Sequence, residues 1–495
     1  MTNQIHLAVD MGASSGRVLA GQLNGGRFEL KEVHRFWNGP IRVHDRMYWD
    51  VLGLWKSVRE GLQKAAEQWG DSVCSVGVDT WGVDFALLGP GDELLGNPRH
   101  YRDTRTVGGV ERAFDTMPRA EIFAATGLQF IEINSLYQII ALSEQNRPLL
   151  DQAEDFLMIP DLFHWFLTGE KTNEFSDATT TQMLNPKTGQ WSSEVLAAFN
   201  IPDKLFREPT HPGTNLGMLQ RNVAEETGLK NASVIVPGSH DTASAVLAVP
   251  AQTAPSNKPD WCYISSGTWS LMGVEVPEPI INEKCLELNF TNEGGVGGTV
   301  RLLKNIGGLW LIQECRRVLA MQGREYTWDQ MTKLADESSP LQSFVNPDAP
   351  DFVAPVDMPN EIREFCQRTG QPVPKSDGAV IRCALESLAM RYRQVLGWLE
   401  ELTGSQIKTI HIVGGGTQNE QLSQMAADAC NRQVVAGPVE ATAIGNAMMQ
   451  AIAMGAVDSI ASARKIIADS FAVKTYTPKT AEAWDEAFAK FQELT

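Results

Sequence analysis

The sequence predicts an α/β protein built as two related halves, on three observations. Ile5 to Ala20 (IHLAVDMGASSGRVLA) and Trp261 to Glu275 (WCYISSGTWSLMGVE) share one form some 260 residues apart: a short apolar β-rich run, a tight turn of Gly and hydroxyl residues, and a second apolar run. Strand and helix patterns alternate through both halves. The 495 residues suffice for two large domains, or about three of ~150 residues, each with a sizeable core.

In the first half the opening hairpin is followed by a predicted strand at Phe28 to Arg35 and a helix from Val51 to Gln68. The β-rich SVGVD and VDFALL then flank Thr80 to Gly82, and Arg105 to Leu167 reads as mainly helical. Ser233 to Pro237 is a short apolar β-rich run, and Asp241 to Ala248 begins a helix. Pro250 to Pro259 (PAQTAPSNKP) lacks periodicity and marks the boundary, giving domains 1–249 and 250–495. The second half starts with its own hairpin and continues with helices at Asn305 to Met321 and Asp377 to Leu402, separated by the Pro-rich Asn346 to Pro359. A strand at Thr409 to Val413, a Gly-Gly-Gly turn, a helix at Asn419 to Cys430, a strand at Val434 to Ala436 and a helix at Glu440 to Met454 complete the alternation. No solenoid-length repeat is present, so the repeat is a duplicated domain.

A net charge of -18 repels nucleic-acid backbones and anionic lipid, so phosphate binding must come from local geometry with the help of Mg²⁺. The opening MTNQIHLAVD has no basic n-region, and Ala441 to Val457 is too short and polar for a membrane span. Seven scattered Cys without C-x-x-C predict reduced thiols in the cytoplasm.

In the two turns, Gly12, Gly16 and Gly267 leave room for N–H groups to converge on an anion, and Ser14, Ser15 and Thr268 add hydroxyls. The same residues also serve plain turns. There is no G-x-x-x-x-G-K-[ST], and Gly414 to Asn419 departs from the dinucleotide fingerprint at Asn419, leaving a glycine surface for an adenosine or an ordinary strand-to-helix turn. VPGSHDTASAV places His240, Asp241 and Thr242 where a strand gives way to a helix, a position that exposes catalytic groups in open α/β sheets. Asp241 suits both an N-cap and a proton acceptor for a hydroxyl. Asp79-Thr-Trp-Gly-Val-Asp84, with Tyr101-Arg-Asp103, suits a sugar lying against Trp81, or a buried Trp at a turn. Its carboxylates would also serve a glycosidase, which has no use for phosphate turns. The eight His show no zinc spacing.

Asp10-Met-Gly-Ala-Ser-Ser-Gly-Arg17, Gly77-Val-Asp-Thr-Trp-Gly-Val-Asp-Phe85, Gly238-Ser-His-Asp-Thr-Ala-Ser-Ala-Val246, Ser265-Ser-Gly-Thr-Trp-Ser-Leu271 and Ile412-Val-Gly-Gly-Gly416 together resemble, in order, the FGGY carbohydrate kinases of the actin-like ATPase clan. The resemblance implies two actin-like (ribonuclease H-like) domains with a central ATP and sugar cleft. It implies phosphate loops at Ala13, Ser14, Ser15, Gly16 and Arg17 and around Thr268, with Gln313 and Gly415 also at the nucleotide. Gly82, His240, Asp241, Thr242 and Asn305 would approach the sugar, Asp241 matching the family's proton acceptor. Mg²⁺ would bridge the phosphates, with Asp10 a partner through water and its other ligands unassigned. His240, where the family often has a small residue, is similar to the subset acting on six-carbon deoxy-ketoses. The Asp79 and Ala13 to Arg17 segments favour L-rhamnulose, phosphorylated at its 1-hydroxyl, over L-fuculose. The implied partners are a small-molecule ketose and ATP, with no nucleic acid or membrane. A non-enzymatic actin-like nucleotide switch would share the hairpins but would not need Trp81 and His240. Cys366 and Cys383 are close enough in sequence to pair under oxidation, and a reducing cytoplasm argues for thiols.

Overall fold

The computed structural model of the protein describes residues 4–353 and 355–494. Met1, Thr2 and Asn3 of the opening segment, Ala354 of the Pro-rich connection and Thr495 lie outside the described residues. The chain divides into two compact units: Met1–Asn257 with Glu275–Leu302 and Glu440–Phe471, and Lys258–Val274 with Leu303–Val439 and Ala472–Thr495.

The first unit is organised on a six-stranded sheet among the described residues, in the order Asn215–Met218, Ser233–Ile235, Val73–Thr80, Ile5–Met11, Ser15–Asn24, Arg27–Trp37. Ile5–Met11 is antiparallel to Ser15–Asn24 and parallel to Val73–Thr80, which is parallel in turn to Ser233–Ile235. Asn215–Met218 closes that edge antiparallel. The second large sheet repeats the arrangement. Trp269–Val276 is antiparallel to Trp261–Ser266, which is parallel to Thr409–Val413, parallel in turn to Gln433–Ala436, with Lys474–Tyr476 antiparallel at the edge. Thr291–Gly294 and Val300–Gly307 continue it past the hairpin. The duplicated hairpin is therefore the visible part of a duplicated sheet.

Helix Val51–Trp69 shows how sequence builds the layers. The Asp50 carboxylate accepts from Gly53 N at 3.0 Å and caps its start, while Val51, Leu54, Val58, Leu62 and Ala65 recur at helical spacing and are buried beneath the sheet. Burying each of the larger aliphatic side chains contributes roughly 1.5–3 kcal/mol. Helix Ala441–Ala453 is apolar on nearly every face because it is buried, and it packs on helix Asp241–Leu247 and on strands Ile5–Met11 and Val73–Thr80. Its two buried polar side chains are fully engaged: Asn446 Nδ2 donates to Asp79 at 2.5 Å, and Gln450 donates to Leu7 O at 2.9 Å and accepts from Ser75 Oγ at 2.7 Å.

Two predicted elements differ. Arg105 to Leu167 is not wholly helical, because the buried strand Asp155–Met158 pairs antiparallel with Phe85–Leu88. A four-residue apolar run carries no period that separates strand from helix. Asn305 lies in strand Val300–Gly307 and not in a helix, which starts only at Trp310. Gly307 and Gly308 break the pattern there, and a Cβ on Gly308 would lie 2.5 Å from the Trp269 backbone. Among the described residues no helix is long and apolar enough to cross a membrane.

Candidate functional site

In the first unit the hairpin turn holds Gly12, Ala13 and Ser14, with Met11 opposite Gly16 and Asp10 opposite Arg17. Gly12 N donates to Ser15 O at 2.9 Å, and Asn38 Nδ2 donates to Gly12 O at 2.7 Å, fixing the bend while Ser14 stays exposed. Arg17 is held between two carboxylates, 2.7 Å from Asp10 and paired with Glu440. Burial pushes the Asp10 carboxyl up, against the opposing pull of Arg17, and Asp241 and Glu440 add to the rise. Asp79 stands beside Asp10 in the parallel register and is raised well above its ordinary value by burial and then by Asp10. Its Oδ1 is buried without a hydrogen-bond partner among the described residues.

The segment before Asp241 is suspended by its backbone. Ser239 O accepts from Thr80 N at 2.9 Å, Ser239 N donates to Glu174 at 3.2 Å, and His240 N donates to Ser176 Oγ at 3.2 Å. His240 occupies the N-cap position without a capping side-chain bond, and Asp241 is the first residue of helix Asp241–Leu247. Of its two sequence readings, the capping one is thus not what the Asp241 carboxylate does: it stays one-third exposed, with Oδ1 accepting from Thr242 Oγ1 at 3.0 Å and 3.5 Å from His240 Nε2.

Gly82 lies two residues beyond Thr80, which bridges to His240. A Cβ on Gly82 would sit 3.0 Å from Thr180 and 3.2 Å from Asp177. Next to it Val83 has φ 69, a costly conformation for a β-branched residue, held by its N–H on Thr180 Oγ1 at 3.0 Å and by Ser135 Oγ on its carbonyl at 2.5 Å. Trp81 does not offer a free ring face. It lies 3.9 Å, centroid to centroid, from Trp49, and both indole N–H groups donate to Asp84 Oδ2, at 3.0 and 2.5 Å. Asp103 likewise accepts from the Met47 and Arg105 backbones, at 2.8 and 3.1 Å. These two carboxylates organise the turn.

Burial raises Asp84 from its ordinary 3.8 to about 6, despite the bonds from Trp49 and Gln138. Between those two pH values the folded state holds a proton that the unfolded state has lost, so this group's contribution to stability falls as pH rises. Asp84→Asn is therefore expected to gain on the wild type by about 3 kcal/mol between pH 4 and pH 6 and to hold level above. Paired denaturation curves across that range test it, and a difference independent of pH would refute the shift.

In the second unit the turn at Gly267 and Thr268 is closed by Gly267 N on Trp269 O at 2.8 Å. The start of helix Trp310–Met321 is bound to it, with Leu309 N on Gly267 O at 3.2 Å and Trp310 N on Thr268 O at 3.1 Å. Gln313 is half-buried one turn into this helix, and Asn305 is half-buried on the strand before it. Gly414, at φ 87, and Gly416 press against Ser266 at the end of the hairpin strand, leaving Gly415 exposed. A Cβ on Gly416 would lie 1.9 Å from Ser266 Oγ.

Ala13, Ser14, Ser15, Gly16 and Arg17 thus gather with Gly82, His240, Asp241 and Thr242 in the first unit, and Thr268, Gln313, Asn305 and Gly415 belong to the second. Sequence reasoning missed Glu174, Ser176, Glu293, Arg301 and Glu440. It also missed the role of Asn446 and Gln450, whose signal was a polar i, i+4 pair inside an apolar helical run.

The N-terminal domain of the FGGY family of carbohydrate kinases matches residues 5–248, and the C-terminal domain of that family matches 262–454. A rhamnulokinase of Bacteroides thetaiotaomicron is 43% identical over 489 residues, 99% of each chain, and one of Bacillus subtilis is 40% identical over 96% of each. A ligand-bound xylulose kinase from Lactobacillus acidophilus superposes with a TM-score of 0.81 at 17% identity, covering 99% of this chain and 97% of that one. The fold, the paired hairpins and these matches make the chain an enzyme of the FGGY family of carbohydrate kinases.

Proposed function

We propose that the chain transfers the γ-phosphoryl group of ATP to the 1-hydroxyl of L-rhamnulose. The observation that carries the mechanism is the Asp241 carboxylate, partly exposed on a turn held from Thr80, Glu174 and Ser176. With Oδ1 engaged by Thr242, the other oxygen accepts the hydroxyl proton as the phosphoryl group moves in line. Gly82 packs closely on Thr180 and Asp177 and would approach the sugar with its backbone, and His240, Thr242 and Asn305 supply donors and acceptors to the sugar hydroxyls. The turns at Ala13 to Arg17 and at Thr268 offer N–H and hydroxyl donors to the phosphates, and Gln313 and Gly415 face the rest of the nucleotide. The choice of L-rhamnulose rests on relatives 40–43% identical over nearly the whole chain that carry the name rhamnulokinase.

A divalent cation fits the acidic side of the first unit, where buried Asp10 adjoins Asp79 with its unpartnered Oδ1. Among the described residues no three His, Cys, Asp or Glu converge on a point, which suits Mg²⁺ held mainly by phosphates and water, with Asp10 reaching it through water. Bound there, Mg²⁺ would neutralise phosphate charge. Seven scattered cysteines without C-x-x-C suit a reducing cytoplasm.

ADP release in a coupled assay over L-rhamnulose, L-fuculose, D-xylulose and glycerol tests the substrate. L-Rhamnulose is expected to give a kcat/KM at least about tenfold above the others. A higher value for L-fuculose would reassign the substrate, and ADP release indifferent to every sugar would favour a nucleotide switch.

A further inference from the structure

Behind His240 lies a charged pair contributed by residues far along the chain. Glu293, on strand Thr291–Gly294, and Arg301, on strand Val300–Gly307, are 4% and 0% exposed. Arg301 Nε donates to Gly294 O at 2.8 Å, and its Nη2 lies 3.2 Å from Glu293 Oε2 and 3.1 Å from His240 Nδ1. The same Nδ1 is 3.3 Å from Glu293 Oε2, and Nε2 on the opposite edge of the ring is 3.5 Å from Asp241 Oδ1. His240 is thus faced by Glu293 and Arg301 from the two strands and by Asp241 from its own helix, while its backbone hangs on Ser176, whose hydroxyl donates to Glu174 at 2.6 Å.

A guanidinium stays protonated and has no acceptor. Nδ1 stands between a donor, Arg301 Nη2 at 3.1 Å, and an acceptor, Glu293 Oε2 at 3.3 Å; with the shorter contact as the hydrogen bond, Nδ1 presents a lone pair, and a neutral imidazole then carries its proton on Nε2. Glu293 serves as counter-ion to the buried guanidinium. Without Arg301, Nδ1–H would donate to Glu293, and Nε2 would turn a lone pair toward the Asp241 carboxylate.

We propose that Arg301, held by Glu293, is a positioning residue: it fixes the Nε2–H tautomer of His240, and that N–H orients the Asp241 carboxylate for the sugar hydroxyl. The inference rests on the reading of Asp241 as the base.

Nitrogen-15 NMR of histidine-labelled protein, with His240 assigned by comparison with His240→Gln, reads the tautomer. The expected result is Nε2–H in the wild type and Nδ1–H in Arg301→Gln. Arg301→Gln should also lose kcat by roughly 10- to 100-fold, the usual cost of removing a group that orients another, while calorimetry shows a non-hydrolysable ATP analogue binding as before. Glu293→Gln keeps the Arg301 donor and should retain Nε2–H, which keeps the test alive if Arg301→Gln does not fold. Nδ1–H or imidazolium in the wild type, a tautomer switch in Glu293→Gln, or an unchanged kcat in Arg301→Gln would each overturn the proposal. Full activity in Asp241→Asn would instead remove the base reading on which it stands.

Discussion

Asp241→Asn is expected to lower kcat by about 10² to 10⁴-fold, the usual contribution of a general base. The amide matches the carboxylate in shape and can keep the contact with Thr242 Oγ1, so helix Asp241–Leu247 and its suspension from Glu174 and Ser176 should persist. The proton-accepting oxygen is what disappears. Because phosphoryl transfer passes through a loose transition state, positioning and charge neutralisation continue to act, and the variant should keep measurable turnover. Steady-state kinetics alongside calorimetric binding of a non-hydrolysable ATP analogue separates the two effects. Near-normal kcat would remove Asp241 from the base role, and lost nucleotide binding would point to misfolding.

Gly445→Ala is expected to harm both stability and catalysis from a position that is not on the active turn. Helix Ala441–Ala453 meets helix Asp241–Leu247 so closely that a Cβ on Gly445 would lie 1.8 Å from Ser244 O and 2.6 Å from Ser244 C. Backbone cannot yield as a side-chain tip can, so one helix must move. Overpacking of this kind costs about 1–3 kcal/mol, sometimes more. Ser244 is three residues from Asp241 on a helix of seven residues, so a displacement there carries the carboxylate with it. A shift of about 1 Å can cost roughly 10²-fold in rate. Thermal denaturation and kcat should fall together in this variant. A stable protein with unchanged kcat would show that the two helices do not meet through Gly445.

Much of the fold was legible because it follows local periods and turn chemistry. Strand Thr409–Val413 emerges at its predicted limits, Val51–Trp69 and Asp377–Thr403 differ from theirs by a residue, and both hairpins form as read. The misread stretches fail for local reasons too: Asp155–Met158 is too short to show a period, and the Gly307-Gly308 break was overridden by the apolar run after it. The site was legible as motifs and not as a network. Arg17 could be seen beside the first turn, but nothing local announces that Asp10 and Glu440 would hold it. Trp81 suited either a sugar-facing ring or a buried turn, and only the packing shows it buried, 6% exposed and against Trp49.

By itself, then, the sequence determined the two hairpins, the α/β alternation and the residue types around Asp241, because backbone sterics and hydrophobic period act over a few residues. Only the tertiary structure decided which charges meet: Glu440 on Arg17, Asn446 on Asp79, Glu293 and Arg301 on His240. Such pairings depend on how strands and helices distant in sequence are ordered in a sheet. A buried charge must find a partner there, and no local pattern says which partner it will be.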